Sequence, residues 1–137
     1  LLDPRIYAFL DAAPPDSVAS LRERIARQRR GAPAGSGQRW LNWSVFRSNT
    51  IVGYTQATIQ GESLASIAYV FTPAVWGTGL AQTAVELTMA ELAERHGISQ
   101  LLADTQSDNF PSQGLLARLG FAEQSRSDGD IHYARAI

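Results

Sequence analysis

The feature that most constrains the fold of this chain is an interruption. An apolar run, Leu64-Ala-Ser-Ile-Ala-Tyr-Val-Phe71, stops at Thr72-Pro73; Trp76-Gly77-Thr78-Gly79 follows, and a long amphipathic segment then begins at Ala81. The run reads as a strand and Ala81 to His96 as a helix, with Ala84, Leu87, Leu92 and Ala93 among its buried candidates and Gly97 as its C-terminal cap. Ile98 to Thr105 returns as a second strand. A strand, helix, strand unit of this kind crosses over right-handed, so the two strands are expected to be parallel, with a ligand at their carboxyl ends. Gly77 and Gly79 remove the Cβ atoms that would hold an anion off the backbone, and the first amides of a helix present free N–H groups. The loop predicts a ligand carrying phosphate.

Spacing separates the phosphate-binding loops that could produce this signal. A P-loop requires Gly-Lys-Ser/Thr at its end, and the chain contains no lysine. A dinucleotide fingerprint wants its glycines directly after the strand; here Thr72 to Trp76 intervene, Gln82 stands at the third glycine, and only Asp104 fits as the distant acid.

The remaining pattern, Gln/Arg-x-x-Gly-x-Gly/Ala, is the coenzyme A loop of the GNAT acetyltransferases, and Trp76-Gly77-Thr78-Gly79-Leu80-Ala81 resembles it with tryptophan in first place. That variant is similar to the ribosomal-protein N-terminal acetyltransferase branch, where Gly-Tyr-Trp-Leu, a proline and Trp-Gly-Lys-Gly-Tyr-Ala are usual. Asn109-Phe-Pro-Ser112 with Arg118-Leu-Gly-Phe121 resembles the same branch's Asn-x-x-Ser and Lys-x-Gly-Phe, and Leu2-Asp-Pro-Arg-Ile-Tyr-Ala-Phe-Leu10 extends the likeness to nearly the whole chain. The resemblance implies one α+β domain over residues 1–137, with three layers: helices on both faces of a mixed, mostly antiparallel sheet whose central parallel pair splays apart. It also implies a further strand ahead of the first helix, so the natural start is expected upstream of Leu1.

Along the rest of the chain, Leu2 to Leu10 and Val18, Leu21 and Ile25 supply two short helical faces split by Pro14-Pro15. Arg22, Arg24, Arg27, Arg29 and Arg30 read as a solvated face. Gly31 to Gln38 is a loop of small residues. Trp40 to Arg47, Ile51 to Gln60 and Leu64 to Phe71 alternate as an antiparallel meander with a turn at Ser48-Asn49. Pro111 to Leu119 reads as a short helix stopped by Gly120, and Ile131 to Ala136 as a last strand closing the sheet.

A formal charge of −1 and 45% hydrophobic residues lack the basic excess of a nucleic-acid binder. No apolar run approaches the roughly 18 residues of a membrane span. The absence of cysteine removes thiol catalysis, and two histidines 36 apart make no metal site. The resemblance implies as partner a primary amine on a small molecule or a protein N-terminus, in a cytoplasmic monomer or homodimer.

The resemblance implies acetyl-CoA as co-substrate, its pantetheine arm paired with the free strand edge at Tyr69, Val70 and Phe71, its pyrophosphate on the amides of Gly77, Thr78, Gly79, Leu80 and Ala81 behind Trp76, and Asn109 on the far side of the arm. The reaction implied is direct attack of an amine on the thioester in a ternary complex, aided by a backbone amide near Val70 or Phe71. An α-amino group with a pKa near 8 needs less help losing its proton than a lysine near 10.4. Ser66 and Thr83 stand where many relatives carry Glu, and Leu116 where other branches carry a tyrosine that acts as general acid. Ser112 is the catalytic candidate beside the leaving thiolate; its other reading is an N-cap for the helical turns from Gln113 to Leu119. Tyr133 is the second candidate, alternating with His132 so that only one faces inwards. Glu62 and Asp108 are expected as turn residues, and Asp104 as either a turn cap or a contact to the acceptor. These departures leave a second reading, a domain that binds coenzyme A as a sensor or assembly partner without turnover.

Overall fold

The computed structural model describes residues 37–137; the two expected N-terminal helices, their arginine face and most of the Gly31 to Gln38 loop lie outside the described residues. The elements in order are β1 (Gln38–Arg47), β2 (Thr50–Gln60), β3 (Leu64–Phe71), a 3-10 turn (Pro73–Val75), α1 (Leu80–His96), β4 (Gln100–Gln106), α2 (Phe110–Arg118), β5 (Ala122–Ser127) and β6 (Asp130–Ala136). They form one sheet in the order β1-β2-β3-β4-β6-β5, antiparallel throughout except between β3 and β4.

The meander follows from alternation. In β2 the odd residues Thr55, Ala57 and Ile59 are buried, and in β3 Ala65, Ile67 and Phe71. Ser48 and Asn49 both take positive φ, 51° and 63°, as a two-residue hairpin of this twist demands. Residues of the same phase in β4 (Leu101, Ala103) and β6 (Ile131, Tyr133) join Val85, Met89 and Leu92 of α1 and Leu115 and Leu116 of α2 in one core. Both described helices therefore cover the same face of the sheet.

Three expectations need correcting. The inward stripe of α1 is Val85, Thr88, Met89 and Leu92, while Leu87 is 67% exposed and Ala93 also faces out. The i, i+3, i+4, i+7 spacing that starts at Val85 decides this phase, and Leu87 falls on the opposite side. The last strand does not close the sheet, because β6 lies between β4 and an edge strand, β5. Every residue of β5 is exposed, so it carries no apolar alternation; its signal is the turn Asp128-Gly129, with φ of 53° and 81°. The third concerns the strand after α1: Gly97 ends the helix at φ 65°, but Ile98 and Ser99 are spent in the connection and β4 begins at Gln100.

The parallel pair is short. Leu64, Ala65 and Ser66 register with Gln100, Leu101 and Leu102, and beyond them β3 and β4 part.

Candidate active site

The gap between the parted strands is a cavity of about 600 Å³. Side chains alternate between the faces of a sheet, and the lining is drawn from both phases: Tyr69, Phe71, Ala103 and Thr105 from the helix-covered face, Ala68, Val70 and Asp104 from the other. Consecutive residues of both strand edges therefore border the gap.

The backbone phase of β3 follows from one bond. Thr72 N–H donates to the Val52 carbonyl at 2.7 Å. Hydrogen-bonded pairs in an antiparallel ladder recur every second residue, so Val70 bonds toward Tyr54, and the backbone groups of Tyr69 and Phe71 turn into the gap. The amide offered to a ligand is that of Phe71, with Val70 committed to β2. The Trp76 indole N–H donates to the Phe71 carbonyl at 2.9 Å, which leaves the Phe71 N–H and both groups of Tyr69 directed at the gap.

At one end of the cavity the loop forms a cradle. Gly77 and Gly79 hold φ of 72° and 82°. A Cβ at either would meet nothing within 4 Å, so the left-handed backbone, and not crowding within the protein, is what demands glycine there. The Thr78 hydroxyl donates to the Val75 carbonyl at 2.6 Å and accepts from Leu80 N–H at 3.3 Å, stiffening the turn. Gly79 is the N-cap of α1 with no side-chain bond, and the first turn has no acidic residue. The partial positive charge of this helix end is left for an anion. Gln82 and Arg118 border the same end, Arg118 Nε donating to Gln82 Oε1 at 3.3 Å.

Across the gap, α2 sets two polar side chains. Asn109 is the N-cap, its Oδ1 accepting from Ser112 N–H at 3.2 Å. Ser112 is therefore not the cap; it sits inside the first turn. Its freed hydroxyl lies 2.7 Å from the Tyr69 hydroxyl. Burial pushes the Tyr69 phenol above its usual range, partly opposed by the bond to Ser112, so the pair keeps its protons at neutral pH.

Of the residues expected to hold the cofactor, Val70, Phe71, Trp76, Gly77, Gly79, Ala81 and Asn109 line the cavity with Ser112, whereas Thr78 and Leu80 stand behind it. Tyr133 faces inwards, 7% exposed, and lies in the core among the residues that include Ala103. It is not part of the cavity lining. His132 faces the other side of the sheet, with Nδ1 at 2.7 Å from Asp104 Oδ1 and Nε2 at 2.8 Å from Ser127 Oγ. Leu116 is fully buried. Glu62 and Asp108 are exposed residues outside the lining. Sequence reasoning passed over the Tyr69 hydroxyl, Gln82 and Arg118. Tyr69 was open to discovery by its shared phase with Ala65, Ile67 and Phe71, and Gln82 by its place in the first turn of α1.

The model of the acetyltransferase (GNAT) domain matches residues 1–122. The chain belongs to the GNAT acetyltransferase family. Solved GNAT structures share the fold. A GNAT acetyltransferase from Bacillus anthracis superposes with a TM-score of 0.78 at 17% identity, over 98% of this chain and 83% of that one. RimL, a ribosomal L7/L12 alpha-N-protein acetyltransferase, gives 0.76 at 20% identity over 94% and 75%. Mycobacterium smegmatis RimJ, solved with CoA-disulfide, gives 0.73 at 21% identity over 88% and 62%. Two acetyltransferases of the ribosomal-protein branch are thus among the chains that share this fold. No curated protein matches the sequence. Among the described residues of this GNAT chain, no helix is long and apolar enough to cross a membrane, and no group of three or more metal-binding side chains gathers.

Proposed function

We propose that this GNAT chain transfers an acetyl group from acetyl-CoA to a primary amine, on a protein N-terminus or a small molecule, by direct attack while both are bound. The observation that carries the reading is the cavity between the parted strands, with an anion cradle at one end and the free backbone edge of β3 along its wall. The residues present fit coenzyme A: left-handed Gly77 and Gly79 with the uncapped first turn of α1 suit a pyrophosphate, and the gap edge at Tyr69 and Phe71 suits an extended amide-bearing arm.

When bound, acetyl-CoA supplies an electrophilic thioester. The Phe71 N–H is the donor available to a carbonyl oxygen in the gap, and a fixed donor of this kind is worth roughly 3–4 kcal/mol where negative charge develops. Asn109, through its amide nitrogen, and the edge of β3 orient the arm from two sides. The Ser112–Tyr69 hydroxyl pair is the proton source beside the leaving sulfur. Positioning of this sort supports acetyl transfer without a carboxylate base at Ser66 or Thr83.

The test is thiol release from acetyl-CoA with a panel of small amines and short peptides, run beside calorimetric binding of coenzyme A and a Gly79→Trp control. Turnover above the control supports the transferase. Tight binding without turnover favours the sensor reading, and no binding removes the cofactor assignment. Ser112→Ala is expected to lower kcat by about 100-fold, the size of one general-acid contribution at its low end, with coenzyme A affinity nearly unchanged.

A further inference from the structure

Resting on the acetyl-transfer reading, we infer that Asp104, held by His132, is the group that receives the proton of the acceptor amine, on the side of the sheet opposite the coenzyme A cradle. Residues along the gap alternate in phase, so the exposed Asp104 side chain lies on the face of the sheet opposite the buried Ala103 and Thr105. Gly77, Gly79, Ala81 and Ser112 belong to the helix-covered side, and the charged side chain reached through the other phase is Asp104. Asp104 and His132 are directly opposed across β4 and β6, and Ser127 sits on the next strand. The three form a continuous line of hydrogen bonds, Asp104 Oδ1 to His132 Nδ1 at 2.7 Å and His132 Nε2 to Ser127 Oγ at 2.8 Å. Nothing in the packing of the core requires this line: the Asp104 side chain is 66% exposed and that of His132 35%.

The chemistry follows from charge. A carboxylate at a cavity mouth attracts an ammonium ion, and the imidazole on its other oxygen orients it and shares the arriving proton. In the step, one N–H bond of R–NH3+ breaks, the electron pair stays on nitrogen as the nucleophile, and the proton passes to a carboxylate oxygen of Asp104, which is hydrogen-bonded to His132. The proton then leaves to solvent from the exposed pair. Among the described residues, few other groups face His132. On the same face of β6 stands Asp130, while β5 presents the uncharged Ser125 and Ser127 and β4 the uncharged Gln106.

Asp104 is the catalytic residue in this scheme, and His132 positions it and relays. The test uses the full chain, the variants Asp104→Asn and His132→Gln, and two acceptors of similar size: an α-amine with a pKa near 8 and an alkylamine with a pKa near 10.4. Coenzyme A binding should stay within about 2-fold in both variants, since neither residue lies on the cradle side. Asp104→Asn should lower kcat/KM by about 100-fold or more for the alkylamine and clearly less for the α-amine, the gap closing as pH rises and the amine deprotonates in solution. His132→Gln should show the same pattern at smaller amplitude. Equal losses on the two amines, or loss of coenzyme A binding along with activity, would reduce the pair to a structural role and overturn the inference. Unchanged kcat/KM in Asp104→Asn, with the wild type active, overturns it alone; a wild type that binds coenzyme A but acetylates no amine overturns the acetyl-transfer reading and this inference with it.

Discussion

Gly53 offers the sharpest test of how the site is built. It lies opposite Phe71, beside the irregularity in β1 at Val45 and Phe46. A Cβ placed there would stand 2.4 Å from the Val70 carbonyl oxygen and 2.5 Å from Phe71 Cδ1. Ordinary contacts are near 3.5 Å, so Gly53→Ala must push the end of β3 or the Phe71 ring by about 1 Å. The φ at Gly53 is not positive, so alanine gains about 0.4–1 kcal/mol from a less mobile unfolded chain. Overpacking against a backbone oxygen, which no rotamer change can move, costs about 1.5–3 kcal/mol, and the net loss is about 0.5–2.5 kcal/mol. At about 3–5 °C per kcal/mol for a chain of this size, Tm should fall by about 2–12 °C in a calorimetric scan. The same displacement moves the Phe71 N–H in the gap, and coenzyme A affinity should fall about 10-fold, the equivalent of one misplaced hydrogen bond. Gly114→Ala is the control: its Cβ meets only the end of the Arg118 side chain, at 3.3 Å, and alanine within α2 should stabilise by about 0.5–1 kcal/mol. A Gly53→Ala protein with unchanged Tm and unchanged affinity would refute the claim that the close approach of β2 sets the position of the β3 edge.

The buried Thr55–Thr88 hydroxyl pair, at 2.7 Å, predicts an asymmetry: Thr88 also donates to the Ala84 carbonyl, so Thr55→Val should cost under about 1 kcal/mol, while Thr88→Val strands a buried hydroxyl and should cost about 1–3 kcal/mol in denaturant unfolding. Tyr69 and Tyr133 both have phenols raised by burial. A raised acid favours the folded state below its unfolded value near 10 and loses that advantage as pH rises through the folded value, so Tm should hold from pH 8 to about 10 and then fall, less steeply in Tyr69→Phe. Gly77→Ala should weaken coenzyme A binding by about 5–30-fold in calorimetry, because forcing a side chain into the left-handed region costs about 1–2 kcal/mol or reshapes the cradle.

Much of this was legible from residues. The meander, the parallel pair, α1 with its glycine stop and the cradle at Gly77 and Gly79 all follow from period, punctuation and the crossover rule. The phase of α1 was harder, because Leu87 and Ala93 are apolar yet face outwards, and only the core that Val85 and Leu92 enter decides between them. Strand β5 escaped because Ala122-Glu-Gln-Ser-Arg-Ser127 has no buried face; its partner strand and the Asp128-Gly129 turn define it. The contacts that give the site its chemistry were further out of reach. Ser112 meets Tyr69 from 43 residues away and Asp104 meets His132 from 28, and no local pattern encodes such encounters.

Three registered pairs join β3 to β4, so the sheet is closer to two plates riveted at one corner than to a continuous surface, with β1-β2-β3 on one side and β4-β6-β5 on the other. Near that corner Ser99 and Gln100 both donate to the Ser63 carbonyl, tightening the rivet. Away from it, an extended molecule bound in the slot as proposed would supply the missing rungs and act as a removable seventh strand. Loading should therefore change exchange kinetics more than shape: the Tyr69 and Phe71 amides, fast in the empty protein, should slow with the occupant bound, while those of Ala65 and Leu101 at the rivet scarcely change.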